Sequence, residues 1–126
     1  MRDVPAAPVL LIDDNPDTRE LLRSLLAIRG YDTVTADDGF EGLAYLRRGG
    51  SASVIILDLK MPNMDGWAFR RALNADPRWS AIPVIIFSAF PPSDPGTAMG
   101  VVCKGSDDPE LLLAMVASAC SGQGAS

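Results

Sequence analysis

The sequence predicts one doubly wound α/β domain, a (βα)5 sandwich on a five-stranded parallel sheet. Three observations predict it. Short, uninterrupted apolar runs alternate with segments whose apolar residues recur at helical spacing, the pattern of a parallel sheet covered by helices on both faces. Polar residues stand at the carboxyl ends of these runs, where open α/β sheets bind ligands. The 126 residues, 48% of them apolar, suffice for one core and not for two. The domain is expected to fill residues 1–126, with a core of about 8–120 and 121–126 as a flexible tail or linker.

The first strand is Val9 to Ile12, followed by Asp13 and Asp14. Asn15-Pro16 then reads as a helix start with proline at the first helical position, and either Asp14 or Asn15 could fill the cap. That helix runs to residue 29, with Leu21, Leu22, Leu25 and Leu26 on its apolar stripe and Gly30 as its stop. A short strand at Thr33 to Ala36 precedes a helix over 39–48 with the stripe Phe40, Leu43 and Leu46. Val54 to Leu57 is the most uniformly apolar run and is expected at the sheet's centre, ending on Asp58. The loop K-M-P-N-M-D-G leads into a helix from Trp67 that Pro77 closes.

Pro83 opens a fourth strand over 84–87 that ends at Ser88. Pro91, Pro92, Pro95 and Gly96 follow, so the fourth crossover helix is expected to be short or missing. A fifth strand over 101–103 ends at Lys104, and the last helix, over 111–119, carries Leu111, Leu112, Met115, Val116 and Ala119. Its cap is either Asp107 paired with Glu110 or Asp108 followed by Pro109. No internal repeat is present.

Composition excludes several functions. A net charge of −5 without a long basic cluster disfavours direct nucleic-acid binding. The apolar runs are too short to span a membrane, and the first eight residues lack a signal-peptide core, so a cytoplasmic location is expected. There is no histidine, which removes imidazole acid/base chemistry and any role as a phosphohistidine carrier. Cys103 and Cys120 are too far apart in sequence for a metal-binding pair and read as small buried hydrophobes. Lys60 and Lys104 are the only lysines.

The sheet rule brings Asp13, Asp14, Asp58, Ser88 and Lys104 to one edge. Carboxylates at close range must raise a pKa or hold a cation, and oxygen ligands select a hard ion such as magnesium, which completes its shell with phosphate oxygens. Ser88 and Lys104 would supply donors to a phosphoryl group, and a carboxylate can be its acceptor, Asp58 being the best placed. Taken singly, these residues have ordinary roles: an acid after a strand caps a helix, a strand-end serine forms a turn, a lysine is a solvated charge. Their convergence is what points to a site. Lys60, Arg47, Arg48, Arg70 and Arg71 read as solvated side chains without a catalytic role.

With L-L-I-D-D-N, I-I-L-D-L-K-M-P-N-M-D-G, P-V-I-I-F-S-A and the strand-end Lys104, the sequence resembles the receiver domains of bacterial response regulators over nearly its whole length. The resemblance implies the strand order 2-1-3-4-5. It implies that Asp58 takes a phosphoryl group from a histidine kinase or a histidine phosphotransfer protein. Magnesium would be held by Asp14, Asp58 and the Lys60 carbonyl, with Asp13 acting through water. Ser88 and Lys104 would contact phosphoryl oxygens, and the side chains at Lys60 and Phe90 would tune slow self-dephosphorylation. No other enzymatic activity is expected.

Three positions depart from that family. Val101 replaces the usual aromatic, Gly105 replaces the usual proline and leaves the lysine loop less constrained, and the 89–99 segment is proline-rich and short. They motivate an alternative, a pseudo-receiver that binds a partner whatever its phosphorylation state. An aspartyl phosphatase is disfavoured because no D-x-D occurs, and a dinucleotide enzyme because no G-x-G-x-x-G follows the first strand.

Overall fold

A computed structural model describes residues 7–59, 61, 64–89 and 98–124. Lys60, Phe90 and most of the segment expected to hold a short or missing crossover helix lie outside them. The elements in order are β1 (Val9–Ile12), α1 (Pro16–Ile28), β2 (Thr33–Ala36), α2 (Gly39–Arg47), β3 (Val54–Leu57), α3 (Gly66–Asn74), β4 (Val84–Ser88), β5 (Gly100–Cys103) and α4 (Pro109–Gly124). All strand pairs are parallel, in the order β2-β1-β3-β4-β5.

The period of two along each strand divides the core. Val9, Leu11, Val54, Ile56, Ile85, Phe87 and Val102 point to one face, where α1 and α4 cover them with Leu22, Leu26, Leu112, Leu113 and Val116. Leu10, Ile12, Ile55, Leu57, Val84 and Ile86 point to the other, against Leu43 and Leu46 of α2 and Phe69 and Leu73 of α3. Both faces of the central strands are therefore apolar, which is why those strands read as unbroken hydrophobic runs. β3 pairs with both β1 and β4 and is central.

The helix stripes are narrower than the sequence suggests. Neighbouring residues on a helix are rotated by about 100°, so Leu22 and Leu26 face the sheet while Leu21 is 55% exposed. For the same reason Phe40 and Leu111 point outward, and Leu113 enters the core beside Leu112. Arg70, read as a surface side chain, is buried. Cys103 and Cys120 are free and half-buried, not core residues. The last helix continues to Gly124, past the expected end at Ala119.

Side-chain oxygens secure the helix starts. Asn15 caps α1 by accepting from Asp17 and Thr18 N–H, Asp38 caps α2 and Asp65 caps α3. At α4 the cap is Asp108, whose carboxylate accepts the Glu110 N–H at 2.9 Å with Pro109 at the first helical position.

The burial pattern makes a testable contrast. Leu26→Ala is expected to cost roughly 2–5 kcal/mol, whereas Leu21→Ala, on the same helix, stays within about 0.5 kcal/mol of the parent; urea unfolding midpoints measure both.

Candidate functional site

The carboxyl ends of β1, β3 and β5 bring three acids and an amine together. Asp13 continues the β1 ladder, its N–H donating to the Ala36 carbonyl at 3.1 Å. Its side chain is buried and divided in its contacts: Oδ1 accepts the Asn15 N–H at 2.9 Å, and Oδ2 lies 2.6 Å from Lys104 Nζ. Oδ2 makes no other directed hydrogen bond among the described residues, so the ammonium is its compensation. The Arg19 guanidinium donates to the main-chain carbonyl of Asp13 at 2.7 Å and holds that end of the strand.

Asp58 extends β3, its N–H donating to the Ile12 carbonyl at 3.0 Å, and it too is buried. Lys104 Nζ lies 3.4 Å from Asp58 Oδ2 and thus bridges the two buried acids. Asp14 is exposed, and because Asn15 takes the helix cap, Asp14 remains at the sheet edge. Asp13, Asp14 and Asp58 each offer an oxygen, and these atoms all lie within 4.8 Å of one another. Ser88 is buried at the end of β4, and its carbonyl accepts the Lys104 N–H at 2.9 Å.

Like charges at this range repel by about 3.5 kcal/mol or more per pair at an effective dielectric near 20. Among the described residues the Lys104 ammonium is shared by two of the three gathered carboxylates. An acid-rich, all-oxygen donor set of this kind fits a hard divalent cation. The two buried acids, held by backbone and lysine contacts, form the fixed wall of such a site, and exposed Asp14 forms its open side.

Two supporting features escaped the sequence reading. Gly66, the first residue of α3, packs directly over the Asp58–Leu59 backbone: a Cβ there would come within 2.6 Å of the Asp58 carbonyl oxygen and 2.8 Å of Leu59 Cα. The D-G pair before the helix was visible, but the close approach that requires glycine was not. The other is the lysine loop. Gly105 sits at φ +80°, which the proline ring cannot adopt, and Lys104 is nevertheless held between two carboxylates, contrary to the expectation of a loosely placed lysine. Val101, at the usual aromatic position, packs half-buried against the core under α2 and α3. The Lys60 carbonyl and the Phe90 side chain, both given roles by the resemblance, lie outside the described residues.

The family model for the response regulator receiver domain matches residues 9–115. The chain belongs to the receiver-domain family of two-component signalling. This receiver is 30% identical to the signal receiver domain of a signal transduction histidine kinase from Syntrophus aciditrophicus, with a TM-score of 0.84 over 96% of this chain and 95% of that one. It is 28% identical to the response regulator TrrA of Thermotoga maritima, solved in complex with Mg2+-BeF, with a TM-score of 0.79 over 90% of this chain and 98% of that one. Among curated proteins it is 36% identical to Protein PilH of Pseudomonas aeruginosa over 64% of this chain and 65% of that protein. It is also 34% identical to the probable transcriptional regulator ycf27 of Porphyridium aerugineum, matching 79% of this chain and spanning 39% of that longer protein.

The Gly66 contact sets an expectation for this receiver. Gly66→Ala must push the Asp58–Leu59 backbone, whose atoms are not free to swing aside, and is expected to destabilise by about 1–3 kcal/mol; chemical denaturation of the two proteins side by side checks it.

Proposed function

We propose that this receiver is a phosphoryl-accepting switch in which Asp58 is the acceptor. The observation that carries the reading is the bridging of buried Asp13 and Asp58 by Lys104, with an oxygen of Asp14 alongside. An oxygen of the Asp58 carboxylate attacks phosphorus, the bond from phosphorus to the donor's imidazole nitrogen breaks, and an acyl phosphate forms as the imidazole leaves. Lys104 gives up contact with the carboxylates to pair with a phosphoryl oxygen, and the Ser88 hydroxyl donates to another.

Asp14 and Asp58, with the Lys60 carbonyl, would hold magnesium directly and Asp13 through water. The ion's contribution there is to offset charge on the acceptor and on the phosphoryl oxygens. TrrA, solved with Mg2+-BeF, supports this assignment by similarity. A histidine kinase or phosphotransfer protein is the donor, and the phosphorylated state alters contact with an output partner. No turnover of small substrates belongs to this reading beyond slow loss of the domain's own phosphoryl group.

Intact mass spectrometry after incubation with acetyl phosphate and magnesium tests it. One phosphoryl adduct is expected on the parent chain, and none on Asp58→Asn or in excess chelator. Absence of any adduct, with a phosphorylated histidine protein as donor too, would instead favour the pseudo-receiver, the reading that Val101 motivates.

A further inference from the structure

We propose that Asp107 is a positioning residue for Lys104, holding by side-chain contact the loop that carries the lysine. β5 is an edge strand. In a parallel ladder the backbone groups of successive residues face alternate sides. Lys104 N–H turns inward, to the Ser88 carbonyl at 2.9 Å, so the N–H and C=O of Cys103 face the open edge. Asp107 takes both. Its Oδ2 accepts the Cys103 N–H at 2.8 Å, and its own N–H donates to the Cys103 carbonyl at 3.0 Å. Asp107 thus occupies the position that a sixth strand would, at the one residue that precedes the lysine.

The chain between the two residues can make this closure only because Gly105 adopts φ +80°, and Ser106 N–H adds a bond to the same Cys103 carbonyl at 3.3 Å. Beyond Asp107 the loop is anchored again. Asp108 caps α4, and Glu110 meets Arg29, the residue just past α1, at 2.8 Å. Lys104 is therefore gripped through Ser88 on the sheet side and through the Cys103–Asp107 pair on the open side, and its ammonium reaches Asp13 at 2.6 Å from this fixed base. Asp107 bonds to Cys103, the residue before the lysine, and acts on the site through the lysine's backbone. The sequence reading offered it as a helix cap, a role that Asp108 fills, which leaves its carboxylate for this one.

The inference rests on the functional reading for its consequence and on geometry alone for the placement, and the experiment separates the two. Lys60 and Lys104 are the only lysines, so NMR of the full chain with lysine labelled at the ε-carbon gives two side-chain signals, assigned with Lys104→Arg. In the parent protein the Lys104 signal is expected away from the position of a free lysine. In Asp107→Ala it moves to that position, and phosphoryl uptake from acetyl phosphate slows by about tenfold. Asp107→Asn, whose amide oxygen can still accept the Cys103 N–H, keeps the signal in place and the rate within about twofold.

Adding Asp107→Ala to Lys104→Met causes no further slowing, because the two act through one group. Should Asp107→Ala not fold, Asp107→Gln, with its acceptor one methylene further out, takes its place. A Lys104 signal that stays in place without the Asp107 carboxylate overturns the inference, and so do losses that add in the double variant. If the parent chain takes up no phosphoryl group, the functional reading fails and the lysine signal still decides the positioning role.

Discussion

The burial of two carboxylates at the carboxyl edge of the sheet is the constraint to which the surrounding structure answers. An ionised carboxylate removed from water needs hydrogen bonds and a counter-charge, or it takes up a proton. Asp13 has a backbone N–H on one oxygen and the Lys104 ammonium on the other, and the same ammonium lies 3.4 Å from Asp58. One ammonium thus serves two buried acids with Asp14 alongside, and an all-oxygen set of this kind suits a hard cation.

Holding like charges together requires a rigid frame, and the two-faced core supplies one. The strands carry apolar side chains to both faces, so a slip of one residue in register would not expose polar groups, and register has to be set otherwise. Strand ends do this. Asp13 N–H to Ala36 and Asp58 N–H to Ile12 continue the ladders one residue past the regular strands, fixing where each carboxylate emerges. Gly66 lets α3 close over the Asp58 carbonyl without a side chain between them. The acids thus stand on the most buried part of the molecule, and the lysine on an edge strand.

That difference in support matters for the carboxyl-terminal half, where the chain departs from its family. An edge strand has one side unpaired, and Val101 and Gly105 stand where the resemblance to receivers leads one to expect an aromatic and a proline. Gly105 does not merely loosen the loop. Its left-handed backbone permits a tight return that proline would forbid, and that return brings Asp107 onto Cys103. Half-buried Val101 puts a small β-branched side chain, not a ring, against the core at that position.

Much of this was legible in the residues. Four-residue apolar runs, caps such as Asn15-Pro16 and the polar strand ends sufficed for the elements and for naming Asp13, Asp14, Asp58, Ser88 and Lys104 as candidates, because each signal is local: a strand's period, a helix's start, a residue's place at a run's end. Strand order came by resemblance, since pairing is a choice among distant segments. What only the tertiary structure decided was contact between such segments. Leu21 and Leu22 are equally apolar, and the sheet selects one. Arg70 is charged and yet buried. Asp107 and Asp108 are equally good caps in sequence, and the free edge of β5 assigns one to the helix and the other to the strand. The physical reason is common to all three: side-chain chemistry is written in the chain, but which neighbour satisfies it depends on where the fold leaves an unfilled face or an unpaired backbone group.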